Sequence, residues 1–220
     1  MADWVTISAL ASAGGTLALA GVTVVSLRSA NRSARVAEQS LLAGQRPLLV
    51  ASRTEDAPVR AGFQDGVWFQ VPGGQGVASA RDEAVYLVIA VRNVGTGIAV
   101  LHGWHFIPEI VFERGAHIDP PPVEEFTTLT RDLYVAPDDV GFWQGSFRDP
   151  ASEGFRSARA AVEARPSMGV DILYGNFEGG DRMISRFMLT PKETEDGVSW
   201  YASVARHWNV DRPDPRVREG

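Results

Sequence analysis

No cysteine occurs anywhere in the sequence. That removes disulfides, thiolate metal sites and a cysteine nucleophile. It permits a reducing compartment without demanding one, because many exported proteins also lack cysteine. Lysine is nearly absent too: residues 45–220 hold 17 Arg and 1 Lys against 25 acidic residues, a net charge of −7. An acidic segment without a basic stripe is a poor partner for nucleic acid. The anionic inner leaflet repels it weakly as well, except at the collar Arg28–Arg35. Histidine is scarce, with four in the chain, and neither zinc-finger nor H-E-x-x-H spacing is present.

Charge is missing altogether from "WVTISALASAGGTLALAGVTVVSL", the 24 residues Trp4 to Leu27. As a helix this run reaches about 36 Å, enough to cross a hydrocarbon core of about 30 Å with some tilt. A cleaved secretion signal wants a positive start and a shorter apolar centre, whereas Asp3 is the only early charge here. Buried globular helices rarely run so far without a polar face. The run therefore reads as an N-terminal transmembrane helix, residues 1–27. Arg28, Arg32 and Arg35 come directly after it, and no Lys or Arg precedes it. Positive residues stay on the cytoplasmic side, so these three act as topology determinants. They predict an N-terminus outside and a cytoplasmic C-terminal domain at the cell (inner) membrane. Within the span, Ser8/Ser12, Ala11/Gly15 and Gly14/Ala18 are small residues four apart, a spacing that lets helices approach closely. Ser8, Ala11 and Gly15 are the candidate helix–helix contact.

"RSANRSARVAEQSLLA", 28–43, is composed of good helix formers, and Arg35 with Glu38 can pair at i,i+3. Gly44 suits a helix end and Pro47 cannot continue one. This predicts a helical stalk over 28–44 and a β domain over 45–210. The β-rich strings are "PLLVAS" (47–52), "VWFQV" (67–71), "AVYLVIAVR" (84–92), "IAVLHGWHF" (98–106), "IVF" (110–112), "LYVA" (133–136), "VGFWQGSF" (140–147), "GVDILY" (169–174), "MISRFML" (183–189) and "VSWYASVA" (198–205). Glycine, proline and aspartate turns separate them, the pattern of an all-β sandwich or barrel. One short helix is expected at 150–164, with Asp149 as N-cap, Pro150 at N1, and Phe155, Ala158 and Val162 on one face. The last residues, 211–220, read as a disordered polar tail.

Candidate chemistry is thin. In "RNVGTGIAV" (92–100) Gly95 and Gly97 form G-x-G. The third glycine of a dinucleotide fingerprint would fall at Val100, and the residues beyond it are β-like rather than helical. A strand–turn–strand corner fits better, with Asn93, Gly95 and Gly97 at positive φ and Ala99 allowing close sheet packing. On a strand, His102 shares a face with Trp104 while His105 points away, so the pair clasps one metal only if a bulge at Gly103 re-aims it. "HID" at 117–119 is a weak alternative source of ligands. The acidic pairs Glu124-Glu125 and Asp138-Asp139 match no calcium loop. No serine sits in G-x-S-x-G, since Ser146 lacks the second glycine. Trp208 is the aromatic most expected to be exposed. No catalytic, cofactor-binding or metal residue is assigned, and no cofactor is expected.

A short N-terminal span, an Arg/Ala/Glu/Gln stalk, Arg46-Pro47 entering the first strand, and Arg92-Asn93-Val94-Gly95-Thr96-Gly97-Ile98-Ala99 occur in that order. Together they resemble a loose group of uncharacterised bacterial single-pass membrane proteins of actinobacterial type. The resemblance implies an immunoglobulin-like β-sandwich and carries no activity. The stalk is shorter than in many similar chains, which counts against a coiled coil. The functional expectation is a membrane-tethered binding or scaffolding module. It would present a cytoplasmic β domain to a membrane protein, a membrane-recruited protein or a second copy of itself. The alternative is an enzyme or small-ligand receptor with a site assembled from loops.

Overall fold

The computed structural model describes residues 23, 26–38, 40, 44–111, 119–177, 179, 181–195 and 197–212. The chain divides into two compact units, Met1–Gly44 and Gln45–Gly220. In the first unit, residues 26–38 form an exposed helix, α1, which carries Arg28, Arg32 and Arg35. Apart from Thr23, Ser26 and Leu27, the run Trp4–Leu27 lies outside the described residues, and Ser8, Ala11 and Gly15 lie outside with it. Among the described residues no helix is long and apolar enough to cross a membrane.

The second unit is mostly β. Its strands are β1 (Leu49–Ala51), β2 (Val59–Gly62), β3 (Trp68–Val71), β4 (Gln75–Ala80), β5 (Val85–Asn93), β6 (Ala99–Ile107), β7 (Thr127–Val135), β8 (Val140–Phe147), β9 (Met168–Asn176), β10 (Met183–Thr194) and β11 (Gly197–Asn209). β2 and β3 pair as a separate hairpin. The others form one curled sheet in the order β1-β5-β4-β11-β10-β9-β6-β7, with β8 added on β5. β1 and β4 share one edge of β5, meeting Val91–Asn93 and Val85–Ile89, while β8 runs along Val85–Arg92. The two halves of the sheet face each other across a common core, as in a sandwich. Leu87, Ile89, Trp143, Ile172, Tyr174, Phe187 and Leu189 fill it.

β5 explains why "AVYLVIAV" has no polar alternation. Its odd residues Leu87, Ile89 and Val91 enter that core, and its even residues Tyr86, Val88 and Ala90 pack under the β2–β3 hairpin with Ala61, Phe63 and Val71. A strand buried on both faces reads as a continuous apolar run. β2 and β4 carry little signal in the sequence because "VRAG" and "QGVASA" have few large apolar residues. Conversely, Ile110 and Val111 are not in a strand. The Ile110 N–H bonds Ser167 O at 2.8 Å, and its side chain packs over Gly169 of β9, while Val111 is exposed.

Helix α2 (Glu153–Ala164) falls within the expected stretch, and its buried face is Phe155, Ala158 and Ala161. Its N-cap is Ser152, whose Oγ accepts the Phe155 N–H at 3.2 Å, rather than Asp149. Asp149 instead accepts the Ala151 N–H at 3.0 Å, in the turn before the helix. Phe155 and Ala158 pack on Val85 together with Ala80, Phe106 and Phe147, so α2 stoppers the end of the core where β5 begins and β8 finishes.

Candidate functional site

β7 and β8 are consecutive, with only residues 136–139 between them. In the sequence Asp138-Asp139 is a turn between the β-rich strings "LYVA" and "VGFWQGSF". The structure does not ladder the two strands to each other. β7 is laddered to β6 and β8 to β5, and among the described residues no ladder joins β7 to β8. The turn itself closes, with the Asp139 N–H on Ala136 O at 3.2 Å. The Asp138 N–H bonds Asn93 O at 2.9 Å and the Asn93 N–H bonds Asp139 O at 3.1 Å, so the β5–β8 pairing runs on into the turn. Farther along, Trp104 and Trp143 meet edge to face at 5.4 Å, and Phe147 meets Trp104 at 5.2 Å. Gly145 is required beside them, since a Cβ there would lie 2.7 Å from the Trp143 ring.

The splayed strands leave a cleft of about 400 Å³, within the usual range of ligand pockets. One wall is Thr127–Arg131 and Leu133 of β7; the other is Gln144–Ser146 of β8 with Arg148. Trp104 lies at the base, and Gly62–Gln64 with Trp68 form a rim. A second hollow of about 400 Å³, lined by His105, Glu125, Phe147 and Glu153, shares Trp104 and Thr127 with the first. In a strand, alternate residues turn their N–H and C=O to opposite edges, so both walls offer unpaired main-chain groups to the cleft. Leu129–Asp132 have no Cα partner in the β6 ladder either, because the β6–β7 register breaks between Leu101 and Gly103.

The rim is fixed electrostatically. Asp65, at the tip of the β2–β3 hairpin, accepts hydrogen bonds from the Tyr86 hydroxyl and from Arg148 Nη1, the latter at 2.9 Å. The Tyr86 hydrogen bond, helped by those from Arg148 and the Val67 N–H, lowers the Asp65 pKa to about 2 against the raising effect of burial. Burial, then Asp65, pushes the Tyr86 hydroxyl up. Arg131 has a different standing: its Nη2 approaches Gly62 O at 3.4 Å, and among the described residues it has no carboxylate partner. Buried Gln144 Oε1, Trp143 Nε1 and His105 Nδ1, on the strands bounding the two hollows, have no hydrogen-bond partner among the described residues. The cleft lining contains two arginines and no Asp or Glu. Its hydroxyls are those of Thr127, Thr128, Thr130 and Ser146, and Thr127 also borders the second hollow with His105 and Glu125.

The R-N-x-G-x-G-x-A string builds something else. Asn93 is wholly buried. Its Oδ1 accepts from Leu48 N at 3.1 Å and Gly95 N at 3.0 Å, and its Nδ2 donates to Gly97 O at 2.7 Å and Val135 O at 3.0 Å. Val94 N bonds Leu48 O and Thr96 N bonds Arg46 O, each at 2.9 Å. The string is a clasp on the chain's first residues in the β domain. The expected positive φ is not found: among the described residues it occurs at Gly66, Gly74, Gly179, Gly197, Asp138 and Arg165. Glycine is needed for close approach instead. A Cβ at Gly95 would lie 2.2 Å from Arg46 O, and one at Gly97 would lie 2.0 Å from Gln45 O.

The bulge between Leu101 and Gly103 also corrects the histidine reading. Leu101 and Trp104 are both buried while His102 is exposed, so His102 does not share the Trp104 face. His102 lies near Arg182 and Asp132, and partial burial followed by Arg182 pulls its pKa below the usual range. His105 lies 4.0 Å from Glu125. No group of metal-binding side chains occurs among the described residues. Trp208 is buried, not exposed, with Arg186 over its ring at 5.0 Å. Among the described residues the exposed aromatics are Trp68, Tyr134, Phe177 and Tyr201. Asp211 and Arg212, read as the start of the tail, are tied down: Asp211 pairs with Arg182 and Arg212 with Asp181, both at 2.7 Å. The Arg182 hydrogen bond holds the Asp211 carboxyl below its ordinary value.

One arrangement escaped the sequence because its members are far apart. Ser185 Oγ lies 2.7 Å from His207 Nδ1 and 2.8 Å from the Tyr174 hydroxyl, which accepts the Leu49 N–H at 3.2 Å. Burial pushes the Tyr174 hydroxyl up. A serine beside a histidine resembles an activated nucleophile, but Ser185 and Tyr174 have no solvent exposure. The chain of bonds seats β1 on the core. Comparison with known proteins gives no match to a protein family, to a curated protein or to a solved structure.

Proposed function

We propose that this chain is a membrane-tethered binding module. In this reading Trp4–Leu27 crosses the membrane, Arg28, Arg32 and Arg35 keep the C-terminal side in the cytoplasm, and an immunoglobulin-like β domain meets a protein partner at the bilayer. The partner is a membrane protein or one recruited to the membrane. The observation that carries the reading is the cleft between β7 and β8, where two strand edges stand unpaired around an apolar base. Free edges are normally covered, charged or twisted away, because they recruit other strands. The uncharged N-terminal run supports the tether, and the exposed helix α1 after it supports a spacer. Tethering raises the effective concentration of the cleft for anything else held at the membrane. No accessible nucleophile–base pair lines the cleft, so the enzyme alternative gains no support from it.

The test is a photocrosslinking residue in place of exposed Thr130, in cells, followed by mass spectrometry of the adducts. The expected result is a discrete membrane or membrane-recruited partner. The adduct should survive replacement of Trp4–Leu27 by an unrelated span and disappear when that run is deleted. Extraction of the intact chain by alkaline carbonate, or equal crosslinking without the run, overturns the tethered reading.

A further inference from the structure

We infer that the β7–β8 cleft takes one extended acidic strand of the partner protein, adding it to the sheet between the two unpaired edges with a carboxylate side chain against Arg131. This rests on the tethered-binding reading and specifies its ligand. The residues facing the cleft are Thr127–Arg131 on one side and Gln144–Ser146 with Arg148 on the other. Five residues in extended form span about 16 Å, which sets the length of the strand received. A small acid would leave the main-chain groups of both walls unmet, whereas an inserted strand offers alternating N–H and C=O groups to both at once.

Charge decides the chemistry of the strand. The β domain has a net charge of −7, yet the cleft lining holds Arg131 and Arg148 with no acidic residue. Arg148 is already matched to Asp65 at 2.9 Å. Arg131 is the arginine left to read a ligand, and a planar guanidinium pairs with carboxylate through two parallel hydrogen bonds. Leu129, Leu133 and Trp104 supply an apolar surface for the strand's alternate side chains. A strand alternating β-branched and acidic residues meets both demands.

The experiment uses the full chain in nanodiscs and fluorescein-labelled seven-residue peptides alternating valine with glutamate, glutamine or lysine, read by fluorescence anisotropy. A fourth probe is the glutamate peptide N-methylated at alternate main-chain nitrogens, and a fifth is free glutarate as competitor. The glutamate peptide is expected to bind at least about tenfold more tightly than the others. R131E should reverse the order in favour of lysine, and R131Q should abolish the preference for glutamate over glutamine. N-methylation should cost at least about tenfold, because it removes strand hydrogen bonds. Equal affinity for the three side-chain types, indifference to N-methylation, competition by glutarate as strong as by the peptide, or no binding up to about 1 mM each overturns the acidic-strand inference. A Thr130 crosslink to a partner in cells, obtained alongside any of those results, leaves the tethered-binding reading standing while this inference fails.

Discussion

Asn93 Oδ1 accepts the Leu48 N–H at 3.1 Å, joining the end of β5 to residues that precede β1. The same side chain serves Gly95, Gly97 and Val135, so every polar atom of a wholly buried amide is matched. Asn93→Ala removes the partner of four main-chain groups and should cost about 3 kcal/mol or more. Asn93→Asp keeps the acceptor, loses both donated bonds and buries a charge, and should cost at least as much. Urea unfolding of the full chain in detergent, followed by tryptophan fluorescence, measures both. A cost below about 1 kcal/mol for either would contradict the clasp.

The glycines of the clasp can be separated from glycines used for backbone freedom. Gly66 has φ +80 with nothing within 4 Å of a built Cβ, so Gly66→Ala should cost only the left-handed penalty of about 1–2 kcal/mol. Gly95→Ala and Gly97→Ala push against backbone oxygens of Arg46 and Gln45. Both should cost more than Gly66→Ala, and both should expose residues 45–48 to hydrogen exchange. Equal costs at the three positions would show that close approach is not the constraint.

Asp65 sets a pH dependence whose sign can be worked out. Its pKa falls from an ordinary aspartate's 3.8 to about 2 in the folded protein. A depressed carboxylate stabilises the fold fully above its unfolded value and loses that contribution as pH drops through the folded one. The stability difference between wild type and Asp65→Asn should therefore be constant above about pH 5 and shrink between 3.8 and about 2. Tyr86→Phe should weaken that dependence more than loss of the Arg148 or Val67 hydrogen bond, since the Tyr86 hydrogen bond is its largest cause. Parallel pH profiles for wild type and Asp65→Asn would contradict the assignment.

Ser185 should be chemically silent despite its histidine neighbour. A fluorophosphonate that labels activated serines is expected to leave it unmodified in the folded protein, because no surface of Ser185 is exposed. Ser185→Ala should lower stability by about 1 kcal/mol through the lost bond to Tyr174. Rapid labelling at Ser185 in the native state would revive the enzyme alternative.

Strands are legible in the sequence where burial is symmetrical or simply alternating. β5 and β9 are visible because their apolar residues outnumber everything else, and β8 because of its aromatics Phe142, Trp143 and Phe147. β2 and β4 are not, because small residues suffice where a hairpin lies close over β5. In β7, "TTLTRD" hides its strand character because Arg131 stands where the alternation asks for an apolar residue. The cleft is illegible for a different reason. Strands joined by a tight turn ordinarily pair, whereas here β7 is laddered to β6 and β8 to β5, whose residues lie more than 40 positions earlier in the chain. The bulge that turns His102 away from the Trp104 face is visible only as the possibility raised by Gly103.

The seating of β1 also orders events in time. Leu48 bonds a side chain 45 residues further on, and Leu49 bonds one 125 residues further on. A chain made at roughly 5–20 residues per second delivers Tyr174 about 6–25 s after β1 has left the ribosome. Contacts of such long sequence separation carry a loop-closure cost that slows folding. The ladder of β1 to β5 and the Asn93 clasp can therefore form well before the bond to Tyr174, which the domain gains only once β9 has emerged.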